Sequence, residues 1–475
     1  VCSSDLETSV PASQRNATAM TDAVPLPFDL PAVSGKKLTV DYDGGNQSSD
    51  SGVLLLRLAE ARLGVCRRVG AAMRDRRDPT RIEHTMKELV TARAFAIACG
   101  HEDAIDLDLL RDDPGFKLAL GRCPESGAPL ASQSTVTRME NAPSKIEAAR
   151  VTAALVDQFA ASVTPGPEAI LDIDDSFYVA HGGQQLAFWN AHHDERGFAP
   201  MHIYHVASGA PVVTILRTAK TPKGSEAATV MKHVTKRLRR TAAWTDTRII
   251  WRGDSHYGRP EAMEWCEANG CGYVFGMAGN SVLDGLVAEA AEHLGFWHAL
   301  SEAPKTRGYA QVEYQAKSWS RPRRVVARIE VSLQPDGKGG LSQETDIRYV
   351  VTSLTGRPEH IYEDVYCQRG EAENLIKLHK TQLASSRTSC HSATANQIRL
   401  VLATAAFWLM REVRRAIPAG HRMARAEFAT IRERLLKIAA RIVEMKARIR
   451  VHLPASCPER SLFRTVAIHL LPAVT

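Results

Sequence analysis

The feature that most constrains this fold is a set of short β-rich runs that begins after the break Pro165-Gly166-Pro167. Helical segments over residues 225–240 and 259–269 separate the later runs. The runs occupy residues 169–175, 201–206, 211–217, 247–252 and 272–277. Strands that first follow one another directly and then alternate with helices predict an α/β fold with antiparallel early strands.

The chain ahead of this break has a helical character. Residues 1–48 are rich in Ser, Asp, Pro and Gly, which is typical of an irregular leader. Residues 49–164 repeat apolar side chains three and four positions apart, which predicts helices. We therefore expect a helical region between the leader and the α/β part.

One short helix in this region has a polar exposed face. Residues 130–140 predict a helix capped by Ser132 or Ser134. Its exposed side chains include Arg138, with Gln133 and Thr137. Such a helix either reads a DNA groove or is an ordinary polar surface helix, and the local sequence leaves both interpretations open.

Residues 282–354 differ from the α/β part around them. A predicted helix is followed by three runs of alternating apolar and polar residues, which predict a small antiparallel β-rich insertion. Helices are expected to resume near Tyr362 and to continue to about Arg450, so that residues 416–475 form a basic helical tail. From residue 401 onward the chain has fourteen Lys and Arg against five Asp and Glu. This basic segment indicates either a polyanion partner or a solvated helix face.

Composition excludes several classes of protein. Hydrophobic residues make up 44% and charged residues 24% of the 475 residues, as in an ordinary globular chain rather than a fibre or a disordered tail. The nine cysteines include no Cys-x-x-Cys pair, which favours reduced thiols over a zinc site. The longest apolar run, near residues 400–410, is too short to cross a bilayer, so no membrane partner is expected.

Three acidic positions suggest chemistry, although each has a plainer explanation. In the run 171–176, strand alternation places Asp172 and Asp174 on one face, where two carboxylates are costly unless a cation joins them. A solvated edge strand is the plainer reading. Asp254 ends an apolar strand, where α/β proteins place their sites, but it is equally a candidate N-cap for the next helix.

The third acidic position lies on a predicted helix over residues 362–380. Tyr366, Glu373 and Lys380 are spaced seven residues apart and share one helix face, with Arg369 slightly to its side. Taken alone, this stripe is better explained as a solvated face with an Arg369–Glu373 ion pair.

Taken together, these residues resemble a known family. Tyr366, Arg369, Glu373 and Lys380 match the signature Y-(2)-R-(3)-E-(6)-K of the DDE transposases of bacterial insertion sequences, in the branch called transposase DDE group 1. The strings R-G-D-S at 252–255 and L-D-I-D-D-S at 171–176 are similar to the motifs that carry the two aspartates of that family. The resemblance extends over about residues 40–415, including segments at 49–56, 100–114, 130–141 and 349–354.

The resemblance implies a ribonuclease-H-like catalytic core with two aspartates on neighbouring strands and the glutamate on a later helix. The core would be built from residues 165–281 and 355–415. The β-rich insertion would be residues 282–354, and the α-helical N-terminal region, residues 49–164, would bind the DNA ends.

The resemblance also implies a metal site. Two Mg²⁺ ions, with Mn²⁺ as a substitute, would be held by Asp174, Asp254 and Glu373, and Asp172 competes with Asp174 as the first ligand. The residues expected to contact DNA are Tyr366, Arg369, Lys380 and Arg138. In related enzymes an aromatic residue of the insertion receives a flipped base, but we expect Trp297 and Trp319 to be core residues. His192 and His193 lack a third ligand at a spacing that suits zinc.

The implied function is that of a DNA transposase. It would bind the inverted-repeat ends of its element, hydrolyse phosphodiester bonds there and transfer the 3′-OH ends into target DNA. A homodimer on DNA and a cytoplasmic, nucleoid-associated location follow. The alternatives are a stand-alone structure-specific nuclease and a domesticated, non-catalytic DNA-binding regulator.

Overall fold

The structure is a computed structural model that describes residues 31–220, 223–301, 303–335 and 341–471. Its strands, in chain order, are β1 (Gln47–Ser48), β2 (Glu168–Asp175), β3 (Tyr178–Val179), β4 (Phe188–Asn190), β5 (Glu195–Phe198), β6 (Met201–His205), β7 (Ala210–Ile215), β8 (Arg248–Gly253), β9 (Gly272–Met277), β10 (Lys305–Tyr314), β11 (Arg323–Pro335), β12 (Leu341–Thr352), β13 (Ala440–Glu444) and β14 (Ile449–His452). Its α-helices are α1 (Val53–Leu63), α2 (Val65–Ala72), α3 (Met86–Cys99), α4 (Asp106–Leu110), α5 (Pro114–Ala119), α6 (Gln133–Asn141), α7 (Lys145–Ser162), α8 (Gly224–Leu238), α9 (Pro260–Ala268), α10 (Ser281–Leu286), α11 (Ala288–Ala299), α12 (Gly370–Lys377), α13 (Ala393–Arg415), α14 (Phe428–Ile431) and α15 (Arg460–Leu470).

The centre of the molecule is an eight-stranded mixed sheet in the order β10-β11-β12-β9-β8-β2-β6-β7. Strands β2, β6 and β7 are antiparallel neighbours, while β8 and β9 run parallel to β2. This arrangement confirms the predicted α/β class and the ribonuclease-H-like core. Because β2 and β8 are parallel and adjacent, the residues at their carboxyl ends meet at one edge of the sheet.

The β-rich segment predicted before residue 354 extends this same sheet. Strands β10, β11 and β12 are antiparallel to one another, and β12 pairs with β9, with Tyr349 opposite Met277. Trp319 is buried here, as expected of a core residue. The expectation for Trp297 was wrong, because its side chain on α11 is 56% exposed.

The N-terminal helices pack on the core through α13. This helix is buried along most of its length and contacts α3, α7 and β7. A buried ion-pair network reinforces the contact: Arg93 on α3 binds Glu140 at 3.1 Å, and Arg399 on α13 binds Asp103 at 3.2 Å. One apolar core therefore runs from the N-terminal helices to the sheet.

The tail beyond residue 415 is not wholly helical, which corrects the expectation of a helical tail. Strands β13 and β14 form a hairpin, and β1 pairs with β13. Within β13, Ala440 and Ile442 are buried while Arg441 between them is exposed. This period of two is a strand pattern, and it outweighed the helical propensity of the neighbouring Lys, Arg and Glu residues. Within the described ranges, no helix is both long and apolar enough to cross a membrane.

Candidate active site

The two aspartates lie where the central strands end. Asp174 is the penultimate residue of β2, and Asp254 directly follows β8. Gly253 brings the ends of these strands close together, since a Cβ atom there would lie 3.0 Å from the Ile173 carbonyl oxygen. Asp254 is not the N-cap of the next helix, because that position belongs to Arg259.

The helical segment that carries Glu373 changes pitch several times. A wide π-helical stretch over His360–Tyr366 passes into a tight 3₁₀ turn, Cys367–Arg369, before α12 begins; another π-helical stretch, Leu378–Gln382, follows. Each change rotates the side chains relative to a regular helix. The four signature residues therefore do not lie on one regular helix, and Lys380 belongs to the second π-helical stretch.

Arg369 connects the strand and helix carboxylates. Its Nη1 donates to Asp174 Oδ2 at 2.9 Å, and its Nη2 lies 2.8 Å from Glu373 Oε1. Residues almost 200 positions apart thus share one guanidinium group. The ion pair expected within the helix is present, but Arg369 also extends to the strand.

Tyr366 lies beside the turn that carries Asp254. A Cβ atom on Gly276 of β9 would come within 2.6 Å of the Tyr366 hydroxyl and 3.1 Å of the Ser255 nitrogen. The absence of a side chain at residue 276 makes room for this contact. Asp254 Oδ1 accepts a hydrogen bond from the His256 backbone nitrogen at 2.9 Å, which orients the carboxylate within the turn.

The electrostatics of Asp174 favour a nearby cation. Burial is the main reason that the pKa of Asp174 is raised to about 7. The neighbouring carboxylates of Asp254 and Asp175 act in the same direction, and Arg369 opposes the rise. A buried carboxylate in such surroundings gains its charge only at an energetic cost, which positive charge reduces. Asp175 was not singled out from the sequence; it pairs with the buried Arg217 at 3.5 Å.

Asp172 has a different environment. It is buried, and both its oxygens accept hydrogen bonds from Arg252 on β8, at 2.5 and 2.8 Å. Burial raises its pKa to about 6, and Arg252 opposes that shift. One buried guanidinium holds both oxygens of Asp172, whereas Asp174 accepts from Arg369 at one oxygen and from the Asp175 backbone nitrogen at the other. The fully buried pair with Arg252 makes Asp172 a poorer metal ligand than Asp174.

Arg252 also reaches the glutamate helix, a role that we did not predict. Its Nη1 donates to the Val365 carbonyl, next to Tyr366. One buried guanidinium therefore ties β2, β8 and the helical segment together. The R-G-D-S string pointed to this position, but not to its contacts.

Lys380 lies apart from the Arg369 cluster. Its Nζ stands 5.9 Å from the centre of the Tyr178 ring, and burial lowers its pKa. Within the described ranges, no carboxylate lies within 4 Å of this nitrogen. Lys380 is thus a half-buried cation available to an anion from outside the chain.

Arg138 lies on α6, as expected, with an exposed side chain that donates to Thr135 Oγ1 at 3.2 Å. The expected serine cap is wrong in detail. Ser132 occupies the N-cap position without a side-chain cap bond, and Asp108 accepts from the Gln133 backbone nitrogen at 2.8 Å instead. The carboxylate of another helix satisfies the helix N-terminus.

The donors at this edge suit a hard cation, although they do not form a finished cage. Asp174, Asp254 and Glu373 offer carboxylate oxygens, the ligands that Mg²⁺ prefers. Among the described residues, no three acidic, His or Cys side chains are grouped closely enough to hold a metal as they stand. Arg369 lies between two of the three carboxylates and balances their charge.

The chain was compared with known proteins. No curated protein matches it. The cryo-EM structure of a piggyBac transposase synaptic complex with hairpin DNA aligns with a TM-score of 0.38 and 11% identity, over 90% of this chain and 86% of that one. A family model described as transposase DDE domain group 1 matches residues 30–474. The chain therefore belongs to the group 1 family of DDE transposases.

Proposed function

We propose that this protein is an active DNA transposase that binds the inverted-repeat ends of its element, cuts them and joins the 3′-OH ends to target DNA. The observation that carries the proposal is the Arg369 bridge between Asp174 and Glu373, next to Asp254 at the strand ends. A DDE family signature in which one arginine joins the strand and helix carboxylates supports phosphodiester chemistry at this edge of the sheet.

We assign the metal ligands as Asp174, Asp254 and Glu373, with Mg²⁺ as the ion and Mn²⁺ as its substitute. When bound, two such ions activate a water nucleophile and stabilise the leaving oxygen. The contact of Asp172 with Arg252 supports Asp174 as the strand ligand.

The cationic side chains around the carboxylates are assigned to DNA. Arg369 presents a planar fork that suits a phosphate, and Lys380 presents a point charge. Tyr366 lies beside the turn that carries Asp254 and would contact the same DNA strand as Arg369 and Lys380. Arg138 and the basic tail would hold the inverted repeat, and two protomers would hold two ends together. Such an enzyme would act in the cytoplasm, at the nucleoid.

Lys380→Ala is expected to weaken DNA binding and reduce its salt dependence. Loss of one phosphate contact lowers the slope of log affinity against log salt by about 0.9. The measurement is a titration of end-containing duplex at several salt concentrations. Lys377→Ala, which removes an exposed lysine from the same helix, is the matched control and should leave the slope unchanged. Equal slopes in the wild type and in Lys380→Ala would contradict the assignment of Lys380 to a DNA phosphate.

The function is tested with purified protein, Mg²⁺, a duplex that carries the end of the element with its flanking DNA, and a target plasmid. We expect cuts at the end that leave a 3′-OH, followed by covalent joining to the plasmid, and no reaction in EDTA. Cleavage without joining would indicate a stand-alone nuclease. Binding without cleavage at any divalent ion concentration would indicate a regulator.

A further inference from the structure

A small three-stranded sheet next to the candidate active site has no role in the chemistry proposed above. Strands β3, β4 and β5 form it, in the order β3-β5-β4. It begins directly after β2, so Phe177 is only three residues beyond Asp174, at most about 10 Å of extended chain. On β4, Trp189 is 57% exposed and Phe188 is 39% exposed. Phe188 pairs with Gly197 and so lies on the face that carries the Phe177 ring, whereas Trp189 points to the opposite face. An exposed aromatic side chain beside a catalytic edge suggests a contact surface.

Two rings on this sheet are stacked on each other. Phe177 and His193 lie parallel, with ring centres 4.3 Å apart and an interplanar angle of 13°. Gly197 makes room for the stack, because a Cβ atom there would come within 2.8 Å of the Phe177 ring. His193 is exposed even though Phe177 covers one of its faces. The hairpin thus holds a flat imidazole at the surface.

Two cations border these rings. Lys220 Nζ lies 5.0 Å from the centre of the Phe188 ring. Lys380 Nζ lies 5.9 Å from the centre of the ring of Tyr178, the residue that directly follows Phe177. In the part of the chain that the structure describes, neither lysine has a carboxylate within 4 Å. This pairing of flat rings with unpaired cations complements unpaired nucleotides, whose bases stack and whose phosphates are anionic.

We propose that Phe177, His193 and Phe188, with Lys220 and Lys380, form a stacking surface that binds unpaired nucleotides next to the scissile phosphate. The bases stack on the rings, and the phosphates lie towards the two lysines, away from the exposed acidic pair Asp194 and Glu195. The proposal rests on the proposed DNA function and adds to it a preference for single-stranded DNA beside the cut.

The test is a binding titration in EDTA, which keeps it independent of cleavage. The probes are a blunt duplex and the same duplex with a single-stranded extension that contains 2-aminopurine. We expect the wild-type protein to quench the 2-aminopurine signal and to bind the extended duplex more tightly. His193→Ala should weaken binding of the extended duplex by at least about fivefold, the lower end of the effect of losing one stacked base, and leave the blunt duplex unaffected.

Two further variants separate stacking from other roles. His193→Phe keeps a flat ring and should retain binding of the extended duplex, whereas His181→Ala, an exposed histidine outside the stack, should behave as wild type. Equal loss on both duplexes in His193→Ala would overturn the proposal, and so would a His193→Phe variant as weak as the alanine. If Phe188→Ala alters only self-association, the surface is an interface between copies instead. If the protein fails to cut DNA but still binds the extended duplex more tightly in a manner that depends on His193, the transposase proposal is refuted and the stacking proposal stands.

Discussion

Asp174→Asn is expected to abolish strand cleavage while the protein stays folded and bound to DNA. Asn keeps the shape of the side chain but loses the anionic oxygens that a divalent ion needs. Removing several kcal/mol of metal-assisted stabilisation lowers the rate by at least about 10³-fold. Single-turnover cleavage of an end-containing duplex measures the rate, and a gel shift measures binding. Asp254→Asn and Glu373→Gln should behave alike.

The matched control is Asp172→Asn, two residues earlier on the same strand. Asp172 holds the buried Arg252, so its neutral variant should lose about 3–5 kcal/mol in free energy of unfolding, because a guanidinium is left without its counter-ion. If Asp174→Asn cleaves normally while a folded Asp172→Asn does not, the two aspartates have been assigned in the wrong order.

The pH dependence of stability adds an independent check on Asp174. Its pKa is about 7 in the folded protein against 3.8 ordinarily, so its stabilising contribution is complete below pH 3.8 and is lost as pH rises through 7. In metal-free buffer, the stability of Asp174→Asn relative to wild type should therefore grow between about pH 4 and 7 and then remain level. If the stability of Asp174→Asn relative to wild type instead fell as pH rose, the buried position of this carboxyl group would be contradicted.

The second large effect is expected at Arg252. Arg252→Met should lower the free energy of unfolding by about 3–5 kcal/mol, because it leaves Asp172 as an uncompensated charge in the core. Arg252→Met combined with Asp172→Leu removes both charges and should recover most of the stability. Urea unfolding measures both variants.

The double variant also separates stability from positioning. Arg252 donates to the Val365 carbonyl beside Tyr366, and neither Met nor Leu replaces that bond. We therefore expect the double variant to fold but to cleave more slowly and to need more Mg²⁺ for half-maximal rate. Full cleavage at the wild-type Mg²⁺ concentration would show that the pair serves stability alone.

The strand and helix pattern of the core could be predicted because it depends on neighbouring residues. Apolar runs of six or seven residues predicted β2, β6, β7, β8 and β9, and their order along the chain led to the correct fold class. The signature from Tyr366 to Lys380 led to the family, which the family comparison confirms over residues 30–474.

Details of the candidate site could not be predicted, because they depend on contacts between distant residues. Asp172 and Asp174 occupy equivalent positions in the strand pattern, and only the arginine across from each one distinguishes them. The regular spacing of the signature suggested one helix face, but the segment contains two π-helical stretches and a 3₁₀ turn, which the spacing did not predict.

By itself, the sequence determined the class of the fold and the family, because periodicity and motif spacing are local properties of a chain; the three acidic positions are a prediction from the same motifs. Only the tertiary structure decided which aspartate faces Arg369, that Trp297 is exposed and that residues 440–452 form a hairpin. Those outcomes depend on which neighbours compete for each side chain and each backbone hydrogen bond. Such competition arises only once the chain has folded.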